Sequence, residues 1–166
     1  PLSVSVESGR RIPEAFERAD LVGAVGYVER CNPALVEMRR RIAQGQLGEV
    51  YQIVTRRQSP FPARISDVGV VKDLATHDVD LASWVVGAPY EMMFAQVGYR
   101  SGRVHEDLLL ASGRFANGVL VNHQVNWLTP YKDRTTIVIG EHGALVADTA
   151  MGDLSFYENG SSPLQW

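Results

Sequence analysis

Residues 106–128, EDLLLASGRFANGVLVNHQVNWL, contain two strand-length runs joined by the dipeptide Asn117-Gly118. Asn-Gly favours a two-residue hairpin turn, because both residues tolerate a positive φ. After the turn, apolar and polar residues alternate along residues 119–126, which places one set on each face of a strand. The stretch therefore predicts an antiparallel hairpin with one face apolar enough to meet a partner subunit.

Further strand-length runs surround this hairpin. They are EVYQIVTRRQ (49–58), MMFAQVGYRS (92–101), RTTIVIGE (134–141), ALVADTA (144–150) and DLSFYE (153–158). Turn dipeptides stand between several of them, such as His142-Gly143 and Asn159-Gly160. Closely spaced strands with such turns predict an antiparallel sheet over the second half of the chain.

The first part of the chain predicts a helix followed by a strand. Apolar residues recur at helical spacing in ESGRRIPEAFERAD (7–20), and Pro13 is expected in the first turn, since an interior proline costs about 3 kcal/mol. LVGAVGYV (21–28) is almost entirely apolar, which predicts a short buried strand of the parallel kind.

Two more helices are expected before the sheet. Residues 30–48 predict one, with Asn32 as its N-cap. Residues 69–87 predict the other, which ends at Gly87. Helices followed by hairpin-linked strands are typical of an α+β fold, here a mostly antiparallel sheet with helices on one face.

Charge and composition narrow the classes of function. The 166 residues have a net charge of −3 and a pI near 5.8. This argues against nucleic-acid binding, because phosphate contacts need a basic surface. The single cysteine excludes an internal disulfide and a cysteine-rich zinc site. No apolar run reaches the roughly 20 residues that cross a bilayer, so we expect a cytoplasmic protein without a membrane partner.

The predicted helix GVVKDLATHDVDLASWVVG (69–87) concentrates titratable residues. At helical spacing Asp73, His77 and Asp80 share one stripe. A carboxylate one turn before a histidine can orient the imidazole and support its protonated form, which suits general acid–base catalysis. The pattern alone leaves three interpretations open: an acid–base pair, a metal site that includes Asp78, or an ion pair on a solvated face.

Two other segments carry side chains suited to a ligand. GYVERCNP (26–33) lies where a predicted strand meets a helix N-terminus, the edge at which α/β sheets bind ligands. NWLTPYKDR (126–134) contains Trp127 and Lys132, which are residue types that stack on a sugar or hold a phosphate. A helix cap and an amphipathic sheet edge explain the same residues, so both alternatives stay open. No G-x-G-x-x-G fingerprint is present, so the pattern contains no recognisable dinucleotide site.

Taken in order, several segments resemble the Gfo/Idh/MocA family of NAD(P)-dependent sugar oxidoreductases. They are residues 1–20, VGYVERCNP (25–33), GQLGEVYQI (45–53), DVGVVKDLATHDVDLASWVVG (67–87) and VNWLTPYKDRTTIVIGEHGALVAD (125–148). RISDVGVVKDLATHDVD (64–80) together with NWLTPYK is most similar to the sugar-nucleotide branch, in particular UDP-N-acetylglucosamine 3-dehydrogenase-like members.

This resemblance implies a two-domain dehydrogenase. The family has an N-terminal Rossmann domain and a Glu-Lys-Pro motif with a catalytic lysine, and Pro1 is similar to the proline of that motif. Residues 1–30 are then the tail of the Rossmann domain, and residues 31–166 are a C-terminally incomplete substrate-binding and oligomerisation domain. The implied cofactor of the parent protein is NAD or NADP, with none bound by this chain alone. The implied assembly is a homodimer or homotetramer through the sheet face.

The resemblance also implies roles for individual residues. Asp73 and His77 match the family's D-x-x-x-H pair. His77 would take the hydroxyl proton, Asp73 would orient His77 and the substrate, and Asp78 would lie on the surface. The residues implied near the cofactor are Pro1, Arg30 and Asn32. The candidates for binding a sugar or sugar nucleotide are Arg57, Arg64, Lys72, Trp127 and Lys132.

Two other functions remain open from the sequence. One is a non-catalytic sugar-binding or oligomerisation module of the same fold. The other is a metal-dependent hydrolase that uses His77, Asp78 and Asp80. The presence of both Asp73 and His77 favours the dehydrogenase over the non-catalytic module.

Overall fold

The computed structural model describes residue 3 and residues 5–160, so the prediction for Pro1 lies outside the described residues. Within them, helices cover one face of a seven-stranded sheet. The strands are β1 (Val50–Pro60), β2 (Tyr90–Gly98), β3 (Leu108–Phe115), β4 (Leu120–Asn126), β5 (Leu128–Gly140), β6 (Gly143–Asp148) and β7 (Asp153–Glu158). The helices are α1 (Val6–Arg18), α2 (Pro33–Ala43) and α3 (Thr76–Val86), with a 3-10 turn at Val28–Cys31 and a π-turn at Val71–Ala75.

The sheet runs in the order β2-β3-β4-β1-β5-β6-β7. All neighbouring strands are antiparallel except β1 and β4, which run parallel with Ile53 opposite Val121. The predicted α+β class with a mostly antiparallel sheet is confirmed. β1 is the first strand in the chain but lies at the centre of the sheet, between β4 and β5. No hairpin connects β1 to β4, so these two strands can run parallel.

Helices α2 and α3 pack on the same face of the sheet. Leu35 and Met38 from α2 and Leu81 from α3 are fully buried, and they meet Ile53 and Val121 from the central strands. Fully burying one side chain of this size contributes about 1.5–3 kcal/mol. The core therefore fixes α3 against the middle of the sheet, and α3 carries the candidate catalytic residues.

The opposite face of the sheet, which we call the open face, is not covered by any described helix. Its exposed apolar residues include Met92, Phe94, Leu110, Leu120, Ile139 and Tyr157. Strand pairing places Leu120, Gln52 and Ile139 side by side on this face. The apolar set of β4 that includes Val121 and Val125 is buried under the protein's own helices instead.

Two predictions for the first 30 residues are wrong. Residues 21–27 form no strand and are exposed, because no described segment pairs with them and a strand needs a neighbour for its backbone hydrogen bonds. Pro13 lies inside α1 and not in its first turn. The apolar side of α1 has no buried residue among those described.

His123 forms a buried polar group with two neighbours inside the sheet–helix interface. Its Nδ1 lies 2.7 Å from Thr55 Oγ1 and its Nε2 lies 2.9 Å from Tyr90 Oη, which also donates to the carbonyl of Val79. Because the one hydroxyl hydrogen of Tyr90 is donated to Val79, the neutral ring fits with Nε2–H donating to Tyr90 Oη and Nδ1 accepting from Thr55. Burial lowers the pKa of His123 to about 4, so the ring is neutral at pH 7.

We expect His123 to make folding depend on pH. The unfolded histidine titrates near 6.5 and the folded one near 4, so its stabilising contribution is complete above pH 6.5 and is lost as the pH falls towards 4. The shift corresponds to about 3 kcal/mol. The difference in unfolding free energy between wild type and His123→Gln should therefore grow by this amount between pH 4 and 6.5, measured by urea denaturation. A difference that is constant over this range would contradict the assignment.

Candidate functional site

A cleft of about 330 Å³ lies between the exposed segment before α2 and the first turns of α3. The lining residues are Ala24, Val25, Gly26, Tyr27, Glu29, Thr76, His77 and Asp80. His77 and Asp80 thus reach the same cleft from one side of α3, as their helical spacing predicts. Half-buried His77 is the group in this cleft best suited to proton transfer.

A π-turn precedes α3 and sets the direction of its first residues. Across Val71–Ala75 the turn contains an extra residue, and the backbone N–H of Thr76 bonds to the carbonyl of Val71. Single π-turns inside helices are frequent at functional sites. Val70 and Ala75 at the ends of this turn are buried against Trp127, which anchors it to the sheet.

Asp73 and His77 are electrostatic neighbours and are not hydrogen-bonded. The described residues include no hydrogen bond or ion pair between them. Burial and the positive charge of Arg57 lower the pKa of His77, while Glu29 and Asp73 act in the opposite direction. The imidazole is therefore neutral at pH 7 and able to accept a proton. The structure shows no hydrogen bond by which Asp73 would orient the ring.

Arg57 lies below the cleft in a buried ion-pair network. Its side chain is 5% exposed, and it donates from Nε to Asp78 Oδ1 and from Nη1 to Glu29 Oε1, each at 2.9 Å. The prediction that Asp78 lies on the surface is wrong, because it is 2% exposed and pairs with Arg57. Burial raises the pKa of Asp78 to about 6, and Arg57 opposes that rise.

Arg30 makes a second ion pair at the edge of the cleft. Its Nε donates to Asp80 Oδ2 at 2.9 Å, and its Nη2 pairs with Oδ1 of the same carboxylate. The guanidinium also stacks on the ring of Tyr27, 4.2 Å from its centroid. These contacts join the segment before α2 to α3. A cofactor contact by Arg30 remains a prediction.

Asn32 caps α2, as its position in the sequence predicts. Its Oδ1 accepts from the backbone N–H of Ala34 at 3.0 Å, and its Nδ2 donates to the carbonyl of Thr149 at 3.0 Å. Both the oxygen and the nitrogen of the Asn32 side chain are therefore hydrogen-bonded within the protein. A role for Asn32 near a cofactor also remains a prediction.

The five candidate substrate residues are not gathered in the cleft. Arg64, Lys72 and Lys132 are exposed. Trp127 is 3% exposed and packs edge-on against Phe61 at 5.4 Å between ring centroids. Because Arg57 and Trp127 are buried, only the three exposed cations are accessible to a ligand in this structure. None of the five lines the cleft.

Two cleft residues that contact the arginines around the cleft were not among the candidates from the sequence. Glu29 lines the cleft and pairs with Arg57, and Tyr27 stacks on Arg30. Both belong to the segment GYVERCNP, so a charged and an aromatic residue just before a helix N-cap were the available signal. Their partners lie far away in the sequence, so their contacts were not visible there.

The metal interpretation has little support from the described residues. Asp78 is engaged by Arg57 and Asp80 by Arg30. No group of three histidine, cysteine, aspartate or glutamate side chains in the described part of the chain is placed to hold a metal ion. Two ligands of the proposed hydrolase site are therefore held by arginines.

Comparison with known proteins gives the chain curated relatives among dehydrogenases. Inositol 2-dehydrogenase 2 of Saccharopolyspora erythraea is 28% identical over 132 residues, which is 75% of this chain and 38% of that protein. UDP-N-acetylglucosamine 3-dehydrogenase of Acidithiobacillus ferrooxidans is 28% identical over 123 residues, which is 74% of this chain and 37% of that protein. The chain therefore spans less than half of the length of these relatives.

A solved structure has the same fold. The WlbA dehydrogenase from Bordetella pertussis, in complex with NADH and UDP-GlcNAcA, superposes with a TM-score of 0.83 at 24% identity, over 98% of this chain and 51% of that one. The family model described as the GFO/IDH/MocA C-terminal domain matches residues 35–146. These residues include most of the sheet and the whole of α3. The chain therefore belongs to the Gfo/Idh/MocA family, through its C-terminal domain.

Proposed function

We propose that this chain is the substrate-binding part of an NAD(P)-dependent dehydrogenase that oxidises a secondary hydroxyl group. The observation that carries the proposal is His77, half-buried in the cleft with its pKa lowered. A bound nicotinamide supplies the hydride acceptor. As the hydride leaves the carbinol carbon, the hydroxyl group loses its proton, and the neutral imidazole of His77 accepts it.

The cleft suits the groups that react, the carbinol of the substrate and the nicotinamide of the cofactor, better than it suits their phosphates. His77 supplies a proton acceptor, and Gly26 leaves open space where a side chain would otherwise project. Glu29 and Asp80 are acidic, and the residues that line the cleft include no lysine or arginine. We therefore infer that the substrate would bind with its carbinol group beside His77, where a nicotinamide would accept the hydride, and that the lining of this cleft would not hold a pyrophosphate.

The finer proposal is a sugar nucleotide as substrate. Both relatives are named as dehydrogenases of polyhydroxylated rings, inositol in one case and UDP-N-acetylglucosamine in the other. Exposed Arg64 and Lys72 belong to the segment that leads into α3, and their positive charges are suited to binding a diphosphate. An inositol would leave these cations without a partner.

The test is an assay of the protein expressed from the complete gene. NADH or NADPH formation is followed with UDP-N-acetylglucosamine, myo-inositol and scyllo-inositol as substrates. We expect turnover with UDP-N-acetylglucosamine, and Lys72→Ala should raise its KM about tenfold, which corresponds to 1.4 kcal/mol. Turnover of an inositol alone would refute the sugar nucleotide, and no turnover of any ring by a folded protein would refute the dehydrogenase.

We also propose that the open face joins copies of this protein into a dimer or tetramer. Exposed apolar side chains lie at the centre of this face, with Leu120 and Ile139 on either side of the polar Gln52. Exposed apolar patches of this kind mark protein interfaces.

The assembly is soluble and cytoplasmic in this proposal. No helix in residues 5–160 is long and apolar enough to cross a membrane.

Leu120→Asp should reduce the assembly to smaller species in light scattering coupled to gel filtration, because it places a charge in the centre of the buried patch. Val36→Asp is the matched control. Leu120 is 53% exposed on the open face and Val36 is 47% exposed on α2, so both substitutions add a charge at a similarly exposed site. An unchanged mass for Leu120→Asp, or an equal loss of mass for Val36→Asp, would contradict this interface.

A further inference from the structure

Glu106 supports the entry to α3 from the connection between β2 and β3. The first residues of the π-turn have no side-chain cap of their own. The backbone N–H of Val70 instead donates to the carbonyl of Glu106 at 2.9 Å, and the N–H of Val71 donates to its Oε1 at 3.1 Å. One residue therefore holds two backbone donors that would otherwise lack partners at this helix end.

The absence of a side chain at Gly69 makes room for this carboxylate. A Cβ added to buried Gly69 would overlap the carboxylate group of Glu106. Gly69 is not among the residues with a positive φ, so its backbone conformation is open to alanine. The glycine is required by the position of Glu106 and not by a turn.

Asp107 fixes the connection that presents Glu106. It is 1% exposed, and its carboxylate accepts from the backbone N–H groups of Arg100 and Ser101 at 2.8 and 2.6 Å. Its own N–H donates to the carbonyl of Gly98, and its carbonyl accepts from the N–H of Trp127, both at 3.0 Å. Glu106 thus extends from a segment that is tied to the end of β2 and to Trp127, the residue between β4 and β5.

We propose that Glu106, seated against Gly69, is a positioning residue that holds the π-turn and thereby sets Asp73 and His77 relative to the cleft. The inference deepens the proposed function, since it rests on His77 as the proton acceptor. Asp73 lies inside the π-turn and His77 lies in the first turn of α3, directly after it. A movement of the turn therefore moves both residues.

The first test compares Glu106→Ala with Glu106→Gln in the complete protein. Glutamine keeps an oxygen that accepts from Val71, so its kcat should stay within about threefold of wild type. Alanine removes that oxygen, and misplacement of a catalytic group by about 1 Å costs up to 100-fold, so kcat should fall about 10- to 100-fold with little change in KM. Wild-type kcat in Glu106→Ala, or equal losses in both variants, would overturn the proposal.

The second test uses Gly69→Ala alone and combined with Glu106→Ala. The single substitution displaces the carboxylate, so its loss of kcat should resemble that of Glu106→Ala. The double variant should be no worse than either single one, because the space for the added methyl group is then free. A double-variant loss equal to the product of the two single losses would show that Gly69 and Glu106 act separately.

A third measurement separates this inference from the proposed function. NMR titration of His77 needs no substrate, and the pKa of its imidazole should rise in Glu106→Ala as the ring loses burial, but not in Glu106→Gln. If the wild-type protein oxidises no ring substrate, the proposed function fails while this titration still reports on Glu106. An unchanged titration in Glu106→Ala would refute the positioning role even in an active enzyme.

Discussion

Arg57→Met should lower the free energy of unfolding by about 3–5 kcal/mol at pH 7, because it leaves buried Asp78 without its cation. Arg57 is 5% and Asp78 is 3% exposed at their side chains, and Nε and Oδ1 lie 2.9 Å apart. Methionine has a similar length and no charge, so the change removes the ion pair while keeping much of the packing. Urea denaturation followed by tryptophan fluorescence measures the loss.

The pH dependence of this loss identifies Asp78 as its cause. Burial raises the pKa of Asp78 to about 6, and removal of Arg57 raises it further. A protonated carboxyl needs no counter-charge, so the destabilisation by Arg57→Met should be smaller at pH 5 than at pH 7. Adding Asp78→Asn to Arg57→Met should restore part of the stability at pH 7 for the same reason.

Arg56→Met is the matched control, since Arg56 is the adjacent residue on the other face of β1. Its side chain is 42% exposed, and it lies 3.2 Å from a carboxylate oxygen of Asp133. Exposed ion pairs contribute about 0–1 kcal/mol, so this variant should stay close to wild type. If Arg56→Met and Arg57→Met lowered the free energy of unfolding equally, the buried ion pairs would contribute no more stability than the exposed one.

Local signals in the sequence were sufficient for most of the fold. Alternating residues and Asn-Gly predicted the β3–β4 hairpin, but only Gly118 has a positive φ, at 88°, so the connection is not the two-residue turn that the dipeptide favours. Asn32 predicted the start of α2, and Gly87, with a φ of 73°, ends α3 as expected. In each case the residues that determine the structure are neighbours in the chain.

Predictions that depended on distant partners were less successful. Residues 21–28 look like a strand, but a strand forms only where another strand pairs with it. Asp78 looked like a surface residue because its partner Arg57 is 21 positions away on β1. The π-turn likewise depends on Glu106, which is 35 positions beyond the N–H that it holds. Burial of a charge is set by such contacts and has no local pattern.

His77→Ala should lower kcat for oxidation about 10²- to 10⁴-fold in the protein from the complete gene, the usual contribution of a general acid or base. The loss should fall on kcat more than on KM, because the proton moves only as the hydride leaves. Since burial and Arg57 lower the pKa of His77, wild-type oxidation should be near its plateau at pH 7 and should decline as the pH falls through that lowered pKa. Steady-state rates across this pH range check both statements.

His142→Ala is the control, because His142 is an exposed histidine in the turn between β5 and β6, outside the cleft. Its kcat should remain within about twofold of wild type, since exposed positions away from the site rarely matter. The decline at low pH should also disappear in His77→Ala, because the group that titrates is gone. A His77→Ala enzyme that stays within a few-fold of wild type would refute the acid–base role of His77. An intact low-pH decline in that variant would place the proton acceptor on another residue.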